Sequence, residues 1–325
     1  MTGRLIQLSG VIIDHIYKVE TVPTPGTEAL VHEAWLEAGG GFNAMAAARR
    51  CGMAVVYAGT LGTGPFANVA ADVLKAEGIN ILQRRKEGMD QGCCTVLVDR
   101  NGERSFIAMP GADGHLDPAD LEAIPHHPDD WFLLSGYALG YPGSRVALTA
   151  WLASAAQDVR FVFDPCPLVA QIPKASRQAA LDAATWITAN IAEAEFLTGH
   201  GAPEPAAAEL AAGRPSEGGA ILRDGANGCY LAVPGRPVVH VPGFPVRAVD
   251  TNGAGDTHAG AFIAMLARGE DPTSAASIAN VCAAISTTRE GASTAPTLEE
   301  AKAAMAANHE PKGIGGNVPA SRRQP

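Results

Sequence analysis

A short apolar run followed by an Ala-rich segment recurs along this chain, and that rhythm restricts the fold more than any other feature. Arg4–Leu8, Ala54–Ala58, Trp131–Leu134, Arg160–Phe163, Trp186–Thr188 and Ala220–Leu222 read as short buried strands. Asn43–Cys51, Ala67–Ala76, Gly143–Ala156, Ile191–Thr198 and Pro205–Ala211 read as the helices between them. Gly52, Gly78 and Gly199 stand where helix C-caps belong, because glycine enters the left-handed region without a Cβ clash. Apolar strands alternating with helices predict an α/β fold of three layers, a doubly wound, mostly parallel sheet covered on both faces. Ligands in such folds bind at the carboxyl ends of the strands.

Two segments break the rhythm. Gly92–Asp99 and Glu103–Met109 flank Asp99-Arg100-Asn101-Gly102, a hairpin signal. Ile16–Ala38 contains Pro23, Pro25 and Gly26 and has no helical period. Together they predict a small β-sheet beside the main body, with lid segments at about 15–38 and 91–110. Ala254–Ala267, Thr273–Thr288 and Leu298–Ala307 close the sequence as helices, so the main domain is expected over 1–307 and a loose tail over 308–325.

Composition excludes several classes. Hydrophobic residues are 47% and charged residues 18%, enough for a large core and unlike a disordered chain. The net charge is −10 and no basic run is present, so neither nucleic acid nor an acidic membrane surface is an expected partner. No stretch approaches the roughly 20 apolar residues of a membrane span. Residues 1–10 lack the apolar core and cleavage site of a signal peptide. The six cysteines form no Cys-x-x-Cys pair and read as reduced thiols, so a cytoplasmic location is expected. The nine histidines show no zinc-ligand spacing.

The strongest local signal is Val249-Asp250-Thr251-Asn252-Gly253-Ala254-Gly255-Asp256-Thr257-His258-Ala259-Gly260. Gly253, Ala254 and Gly255 would open a helix and aim its free amides outward, which suits an anion. Asp256 follows at once. In isolation it could serve only as a first-turn cap. Beside an anion cradle, it can also take a proton from a hydroxyl during phosphoryl transfer.

This segment resembles the C-terminal signature of the ribokinase-like carbohydrate kinases, the PfkB family. Three further matches occur in family order: Ala38–Ala46 with Leu61–Ala67, then Thr188–Glu195 as an Asn-x-x-Glu motif, then Leu222–Gly228 as a nucleotide turn. The resemblance implies an ATP- and Mg²⁺-dependent kinase of a small sugar, with a nucleoside as the alternative acceptor and a non-catalytic ligand sensor as the remoter one. It implies Asp256 as the base and Gly253, Ala254 and Gly255 as the anion hole. Asp14, placed at the end of the first strand, would bind the acceptor with Gly39, Gly40, Asn43 and Tyr137. Asn190 and Glu193 would hold Mg²⁺ through water. Arg223, Gly225, Gly228 and Asn280 would contact the nucleotide, with Arg223 reaching a phosphate and Asn280 near the adenine. Asp250, Asn252 and the backbone of residues 287–292 would supply a monovalent cation site, for K⁺. A homodimer through the lid is a further expectation.

Some readings stay open on the residues alone. Asp14 could be a turn former, Glu193 a solvated helix residue, and Gly39–Gly41 a plain strand-to-helix turn. His258 reads as a packed residue rather than a catalytic one. Where ribokinases carry a Lys in the first signature, Gly40 stands here, and Ser135-Gly136-Tyr137 replaces the region of a sugar-binding Glu. These departures weigh against ribose itself. Phe42, Trp35, Met109 and Tyr137 are expected to give the pocket an apolar or aromatic wall.

Overall fold

The computed structural model describes residues 3–309, apart from 155, 157, 158 and 292. The chain opens with β1 (Arg4–Gln7), β2 (Val11–Val19), β3 (Val31–Gly40), α1 (Gly41–Arg50), β4 (Ala54–Tyr57), α2 (Pro65–Ala76) and β5 (Asn80–Ile81). It continues with β6 (Cys93–Val98), β7 (Arg104–Met109), α3 (Pro118–Glu122), β8 (Trp131–Ser135), α4 (Gly136–Gly140), α5 (Pro142–Leu152), β9 (Arg160–Asp164) and α6 (Lys174–Ala183). The last third holds β10 (Trp186–Asn190), α7 (Ile191–Thr198), α8 (Pro203–Ala211), β11 (Gly219–Arg223), β12 (Gly228–Ala232), β13 (Val239–Pro242), α9 (Ala254–Ala267), α10 (Pro272–Ser286) and α11 (Leu298–His309).

The main sheet has nine strands in the order β13-β12-β11-β10-β9-β8-β1-β4-β5. The strands from β11 to β5 run parallel, and β12 and β13 add an antiparallel edge. Side-chain parity divides the core into two layers, as a pleated strand requires. Leu5, Val55, Trp131, Leu133, Val162, Trp186 and Ile221 face α1, α2, α9, α10 and α11. Ile6, Val56, Phe132, Leu134, Phe161, Phe163, Ile187 and Leu222 face α3 to α8. Six of the sequence-derived strands thus appear as parallel strands. Gly52, Gly78 and Gly199 take φ of 84°, 70° and 75°, so the expected helix stops are real.

A second sheet of four strands, β3-β2-β6-β7, forms the lid. Its hairpin turn is built as expected, with Asp99 Oδ1 accepting the amides of Asn101 and Glu103 at 2.8 and 3.0 Å. Ile16, Cys94 and Val96 form a small core of its own. The lid is rooted at the end of β1, where Val11 pairs with Gly40 and the Gly41 amide donates to the Gly10 carbonyl at 2.9 Å.

The sequence reading omitted β5, β12, β13, α3, α4 and α6. The tail expected over 308–325 lies outside the described residues from 310 onward, and α11 itself runs to His309. All six cysteines are free thiols. Among the described residues, no helix is long and apolar enough to cross a membrane.

Candidate active site

The base candidate and the residues on the acceptor side meet because α9 comes close to the backbone of α1 at Gly260. A Cβ on Gly260 of α9 would lie 2.1 Å from the Ala44 carbonyl of α1, so only glycine permits this approach. This approach places Asn43 Nδ2 3.0 Å from Asp256 Oδ2, where it donates a hydrogen bond. Burial pushes the Asp256 carboxyl up to about 6, with Asp164 adding to the rise and the Asn43 bond and Arg223 opposing it. A carboxylate so tuned is ionised at neutral pH yet basic enough to accept a proton.

Gly253 ends the approach to α9 in the left-handed region at φ 71°, and Ala254, Gly255 and Asp256 form the first turn. First-turn amides have no partner within a helix, so apart from the Ala254 amide, which donates to the Thr251 carbonyl at 3.3 Å, this turn offers donors and the positive end of the dipole to an anion.

Asp14 lies in the middle of β2, in the lid, rather than at the end of the first strand as the sequence suggested. It is buried, and burial with the charges of Glu37 and Asp256 pushes it up to about 6 against the pull of Arg104. A Cβ on Gly39 would sit 2.4 Å from Asp14 Oδ2, so the glycine makes room for this carboxylate. Gly40 is the N-cap of α1 at φ 62°. Asp14, Gly40, Asn43, Tyr137 and Asp256 line one cavity of about 240 Å³, closed on another side by Ile12, Leu133, Phe106 and Tyr141. Of the aromatic wall expected from sequence, only Tyr137 is there. Phe42 is packed in the main core, Trp35 in the lid core, and Met109 is 59% exposed.

Asn190 and Glu193 form a capping box at the start of α7. Asn190 Oδ1 accepts the Glu193 amide, and Glu193 Oε2 accepts the Asn190 amide, both at 2.8 Å. Glu193 is buried rather than solvated, and burial followed by the Asp164 charge pushes it up to about 7.

Arg223, expected to reach a phosphate of the nucleotide, makes its contacts inside the protein. Its guanidinium does not extend to the nucleotide turn. Nη1 lies 2.8 Å from Asp164 Oδ2, 3.1 Å from Thr188 Oγ1 and 3.2 Å from the Gly255 carbonyl. Nη2 lies 3.6 Å from Glu193 Oε2. A buried guanidinium with two carboxylates beside it is held by them, so Arg223 braces the helix start from below.

Asn280, expected near the adenine, is likewise bonded within the protein. Its Nδ2 donates to the Val241 and Pro242 carbonyls at 3.1 and 3.0 Å, and its Oδ1 lies 3.2 Å from His258 Nε2. Both ends of the amide are used inside the protein. The amide's orientation makes Oδ1 an acceptor, so His258 Nε2 carries the proton. Burial and the Arg223 charge push His258 down to about 3, so it is a neutral packing residue, as the sequence suggested. The turn that does face solvent is Gly225–Asn227, with Gly225 at φ 54° and nothing within 4 Å of a Cβ there. Gly228 at φ 101° packs tightly on Val241, closing the turn into β12.

Asp250 also has a partner that sequence reasoning missed. Arg104 of the lid bonds both its oxygens at 2.6 Å, and the Asn252 and Gly291 amides add bonds of 2.9 and 3.0 Å. The carboxylate expected to hold K⁺ with Asn252 is therefore already met by a guanidinium. Ala292, part of that expected site, lies outside the described residues.

Gln7, Asp113, Tyr141, Phe106 and Asp164 also line the cavity and were not singled out from sequence. Gln7 carried a signal, because a polar residue stands in an apolar strand.

Comparison with known proteins assigns this architecture to a family. Residues 5–299 match the pfkB family carbohydrate kinase pattern, and the chain belongs to that family. It is 30% identical over 302 residues to an uncharacterised sugar kinase of Escherichia coli, YegV, covering 89% of this chain and 90% of that one. It is 29% identical to the ribokinase of Haemophilus influenzae, covering 92% and 97% of the two chains. The crystal structure of a ribokinase from Thermotoga maritima superposes with a TM-score of 0.77 at 25% identity, covering 93% of this chain and 99% of that one. Membership of this family implies a phosphotransferase.

Proposed function

We propose that the protein transfers the γ-phosphoryl group of ATP to a hydroxyl of a small carbohydrate. The observation that carries this is the Asn43–Asp256 contact, which joins the acceptor cavity to a base at the start of an anion-binding helix. Asp256 takes the proton of the acceptor hydroxyl. The freed oxygen forms a bond to the γ-phosphorus as the bond to the β–γ bridging oxygen breaks and ADP leaves. Amides of the Gly253–Gly255 turn left free by the Ala254–Thr251 bond receive the charge on the transferring group, the largest kind of stabilisation such a site provides.

Asn43 holds Asp256 toward the acceptor. Asp14 and the backbone of Gly39 and Gly40 orient the acceptor hydroxyls. The exposed Gly225–Asn227 turn, with Gly228 behind it, is the platform for ATP. Glu193, Asp164 and Asn190 would hold Mg²⁺ through water, which suits an ion that dehydrates reluctantly, and would share their charge between it and the Arg223 guanidinium. Mg²⁺ there would neutralise phosphate charge. The lid excludes water from the cavity, which limits ATP hydrolysis.

A nucleoside acceptor is the second reading, favoured by the aromatic side chains of Tyr137, Tyr141 and Phe106 around the cavity. A pure sensor would have no use for a base tuned like Asp256. The test is ADP release from ATP and Mg²⁺ with a panel of free sugars and nucleosides, with Asp256→Asn as the blank. Release that vanishes in the blank is expected. Equal release by that variant would sink the base assignment, and silence across the panel would sink the kinase reading.

A further inference from the structure

Resting on the kinase reading, we propose that Gln7 and Asp113 form a second hydroxyl-reading floor in the acceptor cavity, and that the acceptor is an uncharged polyhydroxylated molecule.

Parity makes Gln7 unusual. Leu5 and Gln7 project from β1 to the same side, the layer filled by Met45, Phe262 and other apolar groups. A carboxamide at such a position needs a reason. Gln7 is 1% exposed, and Asn43 and Asp113 are each 4% exposed. Gln7 Oε1, Asn43 Oδ1 and Asp113 Oδ2 are buried oxygens with no hydrogen-bond partner in the protein, and all three residues line the same cavity. An unmet buried acceptor costs about 1–3 kcal/mol. Three on residues that line one cavity are matched best by a ligand that brings donors.

Asp113 is fixed for this task. Its Oδ1 accepts the amides of Gly92 and Gly111 at 2.7 and 2.9 Å, which leaves Oδ2 free. A Cβ on Gly10 would lie 2.4 Å from the Asp113 Cβ and 3.2 Å from Oδ2, so the absence of a side chain there lets the Asp113 side chain sit where it does.

The lining also specifies charge. Asp14, Asp113, Asp164 and Asp256 are its ionisable carboxylates, and it contains no Lys, Arg or His. A phosphorylated sugar or a sugar acid would enter against an excess of like charge, which the Arg223 pair with Asp164 meets only in part. A neutral polyol supplies hydroxyl donors to Gln7, Asn43, Asp14 and Asp113, and turns its apolar face to Tyr137, Tyr141 and Phe106. Gln7 is then a specificity residue remote from the reacting hydroxyl.

Gln7→Leu keeps the shape and removes the unmet oxygen. The variant is expected to melt at a higher temperature than wild type and to bind a neutral acceptor about tenfold more weakly, with KM rising more than kcat falls. A purely structural glutamine would lower both stability and binding. Asp113→Asn retains one acceptor oxygen for Gly92 and Gly111 and provides a second test should Gln7→Leu fail to fold. Ribose, fructose and inosine are compared with ribose 5-phosphate and fructose 6-phosphate, by melting shift and by ADP release. Melting shifts from neutral compounds, reduced in both variants, support the proposal whether or not ADP appears. Absence of ADP alone would count against the kinase reading instead. Unchanged neutral-acceptor binding by Gln7→Leu overturns the floor. Tighter binding of a phosphosugar than of its parent, or no shift from any neutral compound, overturns the acceptor class.

Discussion

Arg104 of the lid and Asp250 of the turn before α9 form a two-point ion pair, with Nη1–Oδ1 and Nη2–Oδ2 both 2.6 Å. The same carboxylate holds the amides of Asn252 and Gly291. The pair therefore ties the position of the lid to the backbone that leads into the anion hole. Bidentate pairs of this kind are both strong and directional.

Replacing Arg104 with Ala should loosen the lid and leave Asp250 uncompensated. Steady-state kinetics should show a raised acceptor KM, and ATP hydrolysis without acceptor should increase relative to transfer. Because the guanidinium already meets Asp250, wild-type turnover should be equal in K⁺ and Na⁺. In Arg104→Ala, K⁺ or added guanidinium should restore part of the activity. Strong K⁺ activation of the wild type would contradict the assignment.

Asp256→Asn should lower kcat by about 10²–10⁴-fold, the usual range for a lost general base. ATP affinity, followed by calorimetry, should change little. The variant should also melt slightly higher, since a half-buried carboxylate with a raised pKa opposes folding at neutral pH.

The pH profile follows from the same group. Its carboxyl is pushed up to about 6, so the proportion able to accept a proton falls below that pH. The rate should drop on the acid side with an inflection near 6 rather than near the usual carboxylate value. Asp14, also near 6, should affect acceptor KM over the same range, so kcat and kcat/KM need separate profiles.

Gly260→Ala should act at a distance. The added methyl meets the Ala44 carbonyl and must part α1 from α9. A loss of about 1–3 kcal/mol in stability is expected, together with a fall in kcat as Asn43 draws away from Asp256. Denaturant unfolding and kinetics on the same sample would check both.

Much of this was legible in the residues. Six strands of the parallel sheet were visible because strands buried on both faces are largely apolar, and Asp256, Asn43 and the Gly-Ala-Gly turn because their chemistry is local in sequence. Helix α6 was missed because its buried positions, Ser176, Ala180 and Ala183, are small and give little apolar contrast. Strands β12 and β13 were missed because they follow the Gly225–Asn227 turn and form a short edge. The inward turn of Arg223, the sealing of Asn280 and the Arg104–Asp250 pair depend on contacts between distant segments. No pattern within one segment reports them.

The hydrogen bond between Asn43 and Asp256 joins residues 213 positions apart. A ribosome making this chain therefore completes the acceptor half long before the base exists. A nascent chain stopped before residue 250 carries Asp14, Asn43 and the lid but lacks α9, whose contacts bury much of α1. Such a fragment exposes the apolar face of α1 and has no means of turnover, so early termination should yield chaperone clients rather than weakly active enzyme. Supplying the missing C-terminal piece in trans would be the way to recover activity from it.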